Sequence, residues 1–333
     1  MSVDFQAYGS SGRDRYFSVM KPEDEYLHRP PSGARCNFTE TNMFGFNIPG
    51  EGIDCLIYFW HHAVLGTTTG GIMCWQGVKR HHMECEAFDY QNYMPLPADS
   101  MDASYPCNVT VKMLKPLEAF HVTYQNASLG NRLDLHLQAA MPPACRYNGG
   151  HITQAMKTSG ELVLRGKRYE IDGFHSRDHS WGEHRSEALQ DIPPLSWLVG
   201  VVDESFAFHC LAFDSRRHHP EWGMLYPGID DRNNVLWGYV RDDGETHGII
   251  GADQRTHRGP DGVTPVGVDL ILRASNGKSY EIAGRHAAMT PLAPWPNMHA
   301  HFVLMKWEYA NRTGWGDVQE VIYGEAFRRL IRR

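Results

Sequence analysis

The sequence predicts an all-β protein, a sandwich or barrel in each of two halves. Three observations carry that expectation. Short runs alternate apolar with polar residues, clearest in Cys107–Met113, Ala119–Tyr124 and Arg132–Gln138. Other runs are dense in β-branched and aromatic side chains, which suit a pleated, half-buried surface. Turn residues separate the runs at regular spacing, and the same texture returns after residue 195.

Taken in order, the chain to about Pro49 is rich in Gly, Pro and Asp and reads as loop. Within it Lys21–Tyr26 suits a short helix, with Pro22 in its first turn. Asp54–Trp60 and Gly70–Gly77 are the first β-rich runs, and His81–Phe88 alternates loosely. Met141–Gly150 breaks the pattern and reads as a long loop. Glu161–Asp172 has two short runs about Gly166, a predicted hairpin. Leu189–Leu195, with its paired prolines, reads as a linker. The expected domains are therefore 1–188 and 189–333.

In the second half, Ser196–Val202 and Ser205–Phe213 read as strands paired about Asp203 and Glu204. Trp222–Tyr226 and Val235–Val240 follow, then a turn at Asp242–Glu245. Val266–Leu272 and Ser279–Ala283 flank a Ser275–Gly277 turn, a strong hairpin signal. His299–Tyr309 and Val318–Phe327 close the set, with Gly314–Asp317 as a tight turn.

Composition bounds the function. The chain has 333 residues, 42% of them hydrophobic and 21% charged, ample for one large or two ordinary domains. A net charge of −7 with no basic block argues against nucleic acid as a partner. No apolar run is long enough to span a bilayer. Seven cysteines at irregular spacing, with no Cys-x-x-Cys, suit reduced thiols. Together with a polar N-terminus these features predict a cytoplasmic protein. A homo-oligomer is compatible with this composition.

Chemistry concentrates in Gly173–Arg185, which packs ionisable groups around one indole. On a strand, Arg177, His179, Trp181 and Glu183 share one face, with Asp178, Ser180 and His184 off it or at its edges. An imidazole beside an indole, with a carboxylate nearby, suits acid–base work on an apolar, electron-rich substrate. The bland alternative is an Asp–His–Arg network that only pins a strand end. His209 and Trp197 supply a further imidazole and indole in the second half, and nine Trp and fifteen Tyr suit a cavity for a flat apolar ligand. Cys74, His81 and Cys85, or His299 with His301, offer metal donors, but neither set has the close spacing of a zinc site, so no metal or other cofactor is expected. Thr67–Gly71 lacks the lysine and helix of a phosphate loop, Gly-x-Ser-x-Gly is absent, and no Gly-x-Gly-x-x-Gly unit follows a strand.

Ser176–Gly182 resembles the Asp-His-x-Trp-Gly signature of the carotenoid hydratase (hydroxyneurosporene synthase)-like proteins, a group that includes AttH-type and kievitone hydratase-like proteins. The resemblance implies two lipocalin-like β-barrels in tandem and cofactor-independent chemistry on a hydrophobic, often polyene or aromatic, small molecule. It casts Asp178 as the acid or as the group that orients His179, His179 as acid or base, and Trp181 as a wall that stabilises positive charge. Arg177, Glu183, His184, His209 and Trp197 become candidate substrate contacts. One feature departs from the family's hydratases. They carry a Tyr-x-Asp on a later strand, whereas Phe206–His209 has none, and Asp203, Glu204, His209 and Asp214 are the polar residues nearby. The expected function is thus a lyase or hydratase adding or eliminating water. The alternatives are a carbon–carbon lyase releasing formaldehyde from plant-derived, lignin-type aromatic dimers, and a binding protein without catalysis.

Overall fold

In the computed structural model, residues 16–182, 192–295 and 297–331 are described. Glu183 and His184 lie outside them, as do the residues at the expected domain boundary. The chain divides into two compact units. The described residues of the first are 18–182; those of the second are 192–295 and 297–331 together with Tyr16 and Phe17.

The first strand, β1, is Phe17–Ser18. In the first unit follow β2 (Thr39–Ile48), β3 (Ile53–His62), β4 (Thr67–Gln76), β5 (Ala87–Pro95), β6 (Asp102–Ser104), β7 (Val109–Lys115), β8 (Ala119–Asn126), β9 (Asn131–Ala139), β10 (Ala144–Arg146), β11 (His151–Leu164) and β12 (Lys167–Gly182). They form one antiparallel sheet with the order β5-β4-β3-β2-β12-β11-β9-β8-β7-β6, and β10 adds to β11. The pleat turns Phe44, Phe46, Ile57, Phe59, Phe120, Val122, Leu133, Leu135 and Ile171 into one apolar core. The β11–β12 hairpin forms as expected, with Leu164 opposite Lys167. Its two-residue turn places Arg165 and Gly166 at φ 49° and 82°, the left-handed pair that matches strand twist.

Three first-unit readings change. β2 lies inside the stretch read as loop; its Thr39, Glu40, Thr41, Asn42 and Asn47 are buried, so a polar strand interior hid the strand. β10 interrupts the expected loop at 141–150. The helix expected at Lys21–Tyr26 is a single 3-10 turn, Pro22–Glu25, opened by its proline.

The second unit is a closed barrel of β13 (Leu195–Asp203), β14 (Phe206–Phe213), β15 (Val235–Asp242), β16 (Glu245–Arg258), β17 (Pro265–Ala274), β18 (Ser279–Trp295), β19 (Met298–Tyr309) and β20 (Arg312–Tyr323), in sequence order. Leu198, Phe208, Cys210, Leu270, Leu272, Val303, Trp307 and Val318 fill it. Tyr16 joins this unit: its carbonyl accepts from Trp237 Nε1 at 3.2 Å. Trp222–Tyr226, read as a strand, belongs instead largely to the helix α1 (Pro220–Leu225), with proline at its first position. The end of Val318–Phe327 enters a second helix, α2 (Gly324–Ile331).

Gly314–Asp317 is not a turn but lies within β20, and the chain reverses at Ala310 and Asn311, φ 49° and 62°. Asn tolerates this region and alanine does not. Ala310→Gly should therefore raise the urea midpoint, by about 1 kcal/mol of stability. An unchanged or lowered midpoint would contradict this account of the turn.

Candidate functional site

β12 runs between β11 and β2, which fixes what its side chains meet. His179 stands opposite Asn42 on β2 and Ile152 on β11; Trp181 stands opposite Glu40; Arg177 stands opposite Gln154. Directly opposed residues of an antiparallel pair share a face. Arg177, His179 and Trp181 therefore gather Glu40, Asn42 and Gln154 on theirs.

Glu40 is the centre of the cluster. Its Oε1 lies 2.8 Å from His179 Nε2. Its Oε2 accepts from the His28 backbone N–H at 2.8 Å and lies 3.1 Å from His28 Nδ1. Burial works against the charge of Glu40, but the hydrogen bonds and charge of His179 and His28 outweigh it and hold the carboxyl down at about 2. An ionised carboxylate only accepts, so both facing ring nitrogens carry hydrogen. The His28 ring stacks on Trp181, centroids 4.4 Å apart and planes within 8°. Glu40 and His179 are wholly buried, whereas the His28 side chain keeps 23% of its exposure.

A second carboxylate stands behind. Glu25 Oε2 is 3.8 Å from His179 Nδ1. Arg177 clasps Glu25 with two bonds of 3.0 and 2.5 Å and donates from Nε to Gln154 Oε1 at 2.7 Å. Its guanidinium lies 4.4 Å from the Phe120 ring centroid, and Glu25 also accepts from the Leu117 N–H. On β3, opposite Glu40, His61 lies between Thr68 Oγ1 (2.9 Å) and Asn42 Nδ2 (3.3 Å). Asn42 donates there, so His61 is neutral with its hydrogen on Nδ1, and burial pushes it down to about 4.

Asp178 is not the carboxylate that meets His179. It is buried opposite Met43 and Thr153, and alternation turns it to the other face of β12. Trp197 and His209 come together in the second unit, ring centroids 4.3 Å apart, with Trp237 at 5.2 Å from His209. His209 Nδ1 donates to the Leu198 carbonyl, and burial lowers the imidazole to about 3, so it is neutral.

Sequence reasoning missed Glu25, His28, Glu40 and His61. One signal was available: on β2, Glu40 and Asn42 continue the face of Phe44 and Phe46, so a charge sits on an otherwise apolar side. One ring nitrogen each of His28 and His179 and a Glu40 oxygen all lie within 4.8 Å of one another, so these residues suit a metal ion as well as a hydrogen-bonded relay. A solvent-open groove of about 560 Å³ is lined by Ser104, Tyr105, Asn108, Thr110, Gln125 and Asn126. The Tyr105 ring stacks on Phe59 at 3.7 Å and lies 6.2 Å from the His61 ring.

Comparison with known proteins agrees with this architecture. A family described as a domain of unknown function, DUF7064, matches residues 21–322. No curated protein matches the sequence. Among solved structures, kievitone hydratase from Nectria haematococca is similar over 95% of this chain and 96% of its own, with 14% identity and a TM-score of 0.54. A protein described as an AttH from Nitrosomonas europaea is similar over 90% and 97%, with 13% identity and a TM-score of 0.49. The fold is thus the two-domain lipocalin-like one that the Asp-His-Ser-Trp-Gly stretch implied, and the chain belongs to the DUF7064 family.

Proposed function

We propose that the protein is a lyase of the hydro-lyase kind, working by acid–base chemistry without a cofactor on a hydrophobic aromatic or isoprenoid-like small molecule. The observation that carries this reading is the buried Glu40 carboxylate held between two imidazoles, only one of which reaches solvent. A purely structural ion pair needs no such gradient from a sealed histidine to an open one. The hydratase named among the structural neighbours favours the same class of reaction.

In the direction of hydration, His28 delivers the proton from Nε2 to a double-bond carbon. Nδ1 stays committed to Glu40, which offsets the charge that His28 carries. The Trp181 face stacked on His28 stabilises the charged imidazole and holds it in place. Water adds to the cation, and its surplus proton returns to His28, so the cycle closes with one water consumed. His179 fixes Glu40 from behind and spreads its charge. Seven cysteines, none of them in a disulfide, favour a reducing compartment, the cytoplasm, as its site of action.

The test is incubation with phenolic and isoprenoid compounds, read by mass spectrometry for gain or loss of one water or of one formaldehyde. Loss of formaldehyde would replace hydration by carbon–carbon cleavage. His179→Ala should abolish product while ligand binding persists. Product from that variant at the parent's rate would end the reading.

A further inference from the structure

We propose that the outward face of β8 and β9 carries a binding site for a divalent first-row transition-metal ion, with His121, Asp134 and His136 as ligands. It rests on none of the reasoning about Glu40. Phe120, Val122 and Tyr124 of β8 and Leu133, Leu135 and Leu137 of β9 point into the core. The pleat therefore sends His121, Asp134 and His136 outward together. His121 stands directly opposite His136 in the register, and Asp134 is two residues along the same face.

The donors converge. His121 Nε2 is 2.9 Å and His136 Nε2 3.4 Å from the same oxygen, Asp134 Oδ1. The two rings are parallel within 6° with centroids 4.3 Å apart. All three donor atoms lie within 4.8 Å of one another. Only His121 hydrogen-bonds Asp134 Oδ1; His136 Nε2 is held 3.4 Å from the same oxygen without a hydrogen bond to it. A metal ion accepts all three lone pairs at once. Both strands are hydrogen-bonded on each side, β8 by β7 and β9, β9 by β8 and β11, so the backbone holds the ligands in place. The side chains keep 29%, 46% and 53% of their exposure, which leaves coordination positions for water and an open path for the ion.

The donor set selects the metal. Two imidazoles and one carboxylate suit Zn²⁺, Cu²⁺ or Ni²⁺ and disfavour Mg²⁺, which prefers oxygen. Neighbouring charges only partly oppose a cation. Arg132 is paired with Glu161, while Lys112 stands opposite His121 on β7.

The experiment is calorimetric titration of the chelator-dialysed full chain with ZnCl₂, with MgCl₂ as control. Zn²⁺ should bind saturably and raise the melting temperature, and Mg²⁺ should do neither. His121→Ala and His136→Ala should each weaken Zn²⁺ binding by more than about tenfold, since even outer-shell changes cost that much. His28→Ala should leave this binding intact. Both surface variants should keep the parent's apo melting temperature; His136→Gln serves if the alanine variant does not. No saturable Zn²⁺ binding by the parent, or equal affinity in the His121→Ala/His136→Ala double variant, would overturn the site.

Discussion

Glu40→Gln should fold and bind ligand but turn over about a hundredfold or more slower, the scale of losing a positioned proton-transfer group. The amide matches the carboxylate in shape, yet it offers one accepting oxygen where Glu40 offers two. His179 and His28 each point a ring N–H at Glu40, so one of them meets an NH₂ and must shift its hydrogen to the other nitrogen. If His28 makes that shift, its Nε2 becomes a donor in the wrong step of the cycle. The loss should appear in kcat with KM little changed, because Glu40 is fully buried and acts through His28. Unchanged kcat across the pH range would remove the relay from the mechanism.

The same substitution has a stability signature with a definite sign. Burial opposes the Glu40 charge, but its two histidines bring the carboxyl from an ordinary 4.5 down to about 2. A carboxyl lowered on folding stabilises the native state above its unfolded value, and that contribution fades as pH falls through the folded one. A shift of this size corresponds to about 3 kcal/mol. The difference in unfolding free energy between parent and Glu40→Gln should thus be full at neutral pH and shrink steadily from pH 4.5 toward 2. Equal differences at pH 3 and pH 7 would show that Glu40 is not held in its charged form by the fold.

Arg177→Met should cost about 3–5 kcal/mol, read as a lower urea midpoint at neutral pH. Arg177 and Glu25 are both fully inaccessible, and the two bonds between them are what offsets the desolvation of two charges. Methionine keeps apolar contact with Phe120 but strands the carboxylate. Adding Glu25→Gln should recover most of the loss, because a neutral amide still accepts from the Leu117 N–H without an uncompensated charge. A double variant no more stable than Arg177→Met would mean that packing against Phe120, rather than charge, dominates.

Local pattern told most about the strands of the two units. Alternation in Arg132–Gln138 and the Gly166 and Asp243–Gly244 turns are readable because side-chain direction and left-handed backbone depend on neighbours one or two residues away. The stretch around His179 was likewise legible: alternation alone put Arg177, His179 and Trp181 on one face, where they stand. α1 misled because an apolar run of five residues suits either structure, and only the absence of a paired strand decides between them.

Which carboxylate His179 meets could not be read from the chain. Asp178 is its neighbour in sequence, but a pleated strand sends neighbours to opposite faces. Glu40, 139 residues away, is its neighbour in space because β2 pairs with β12. The sequence by itself determined that the protein is predominantly β, where many of its turns fall, and that one imidazole and one indole share a face of β12. Only the tertiary structure decided which groups surround them, since strand order is set by burial over the whole sheet and not by any short-range preference.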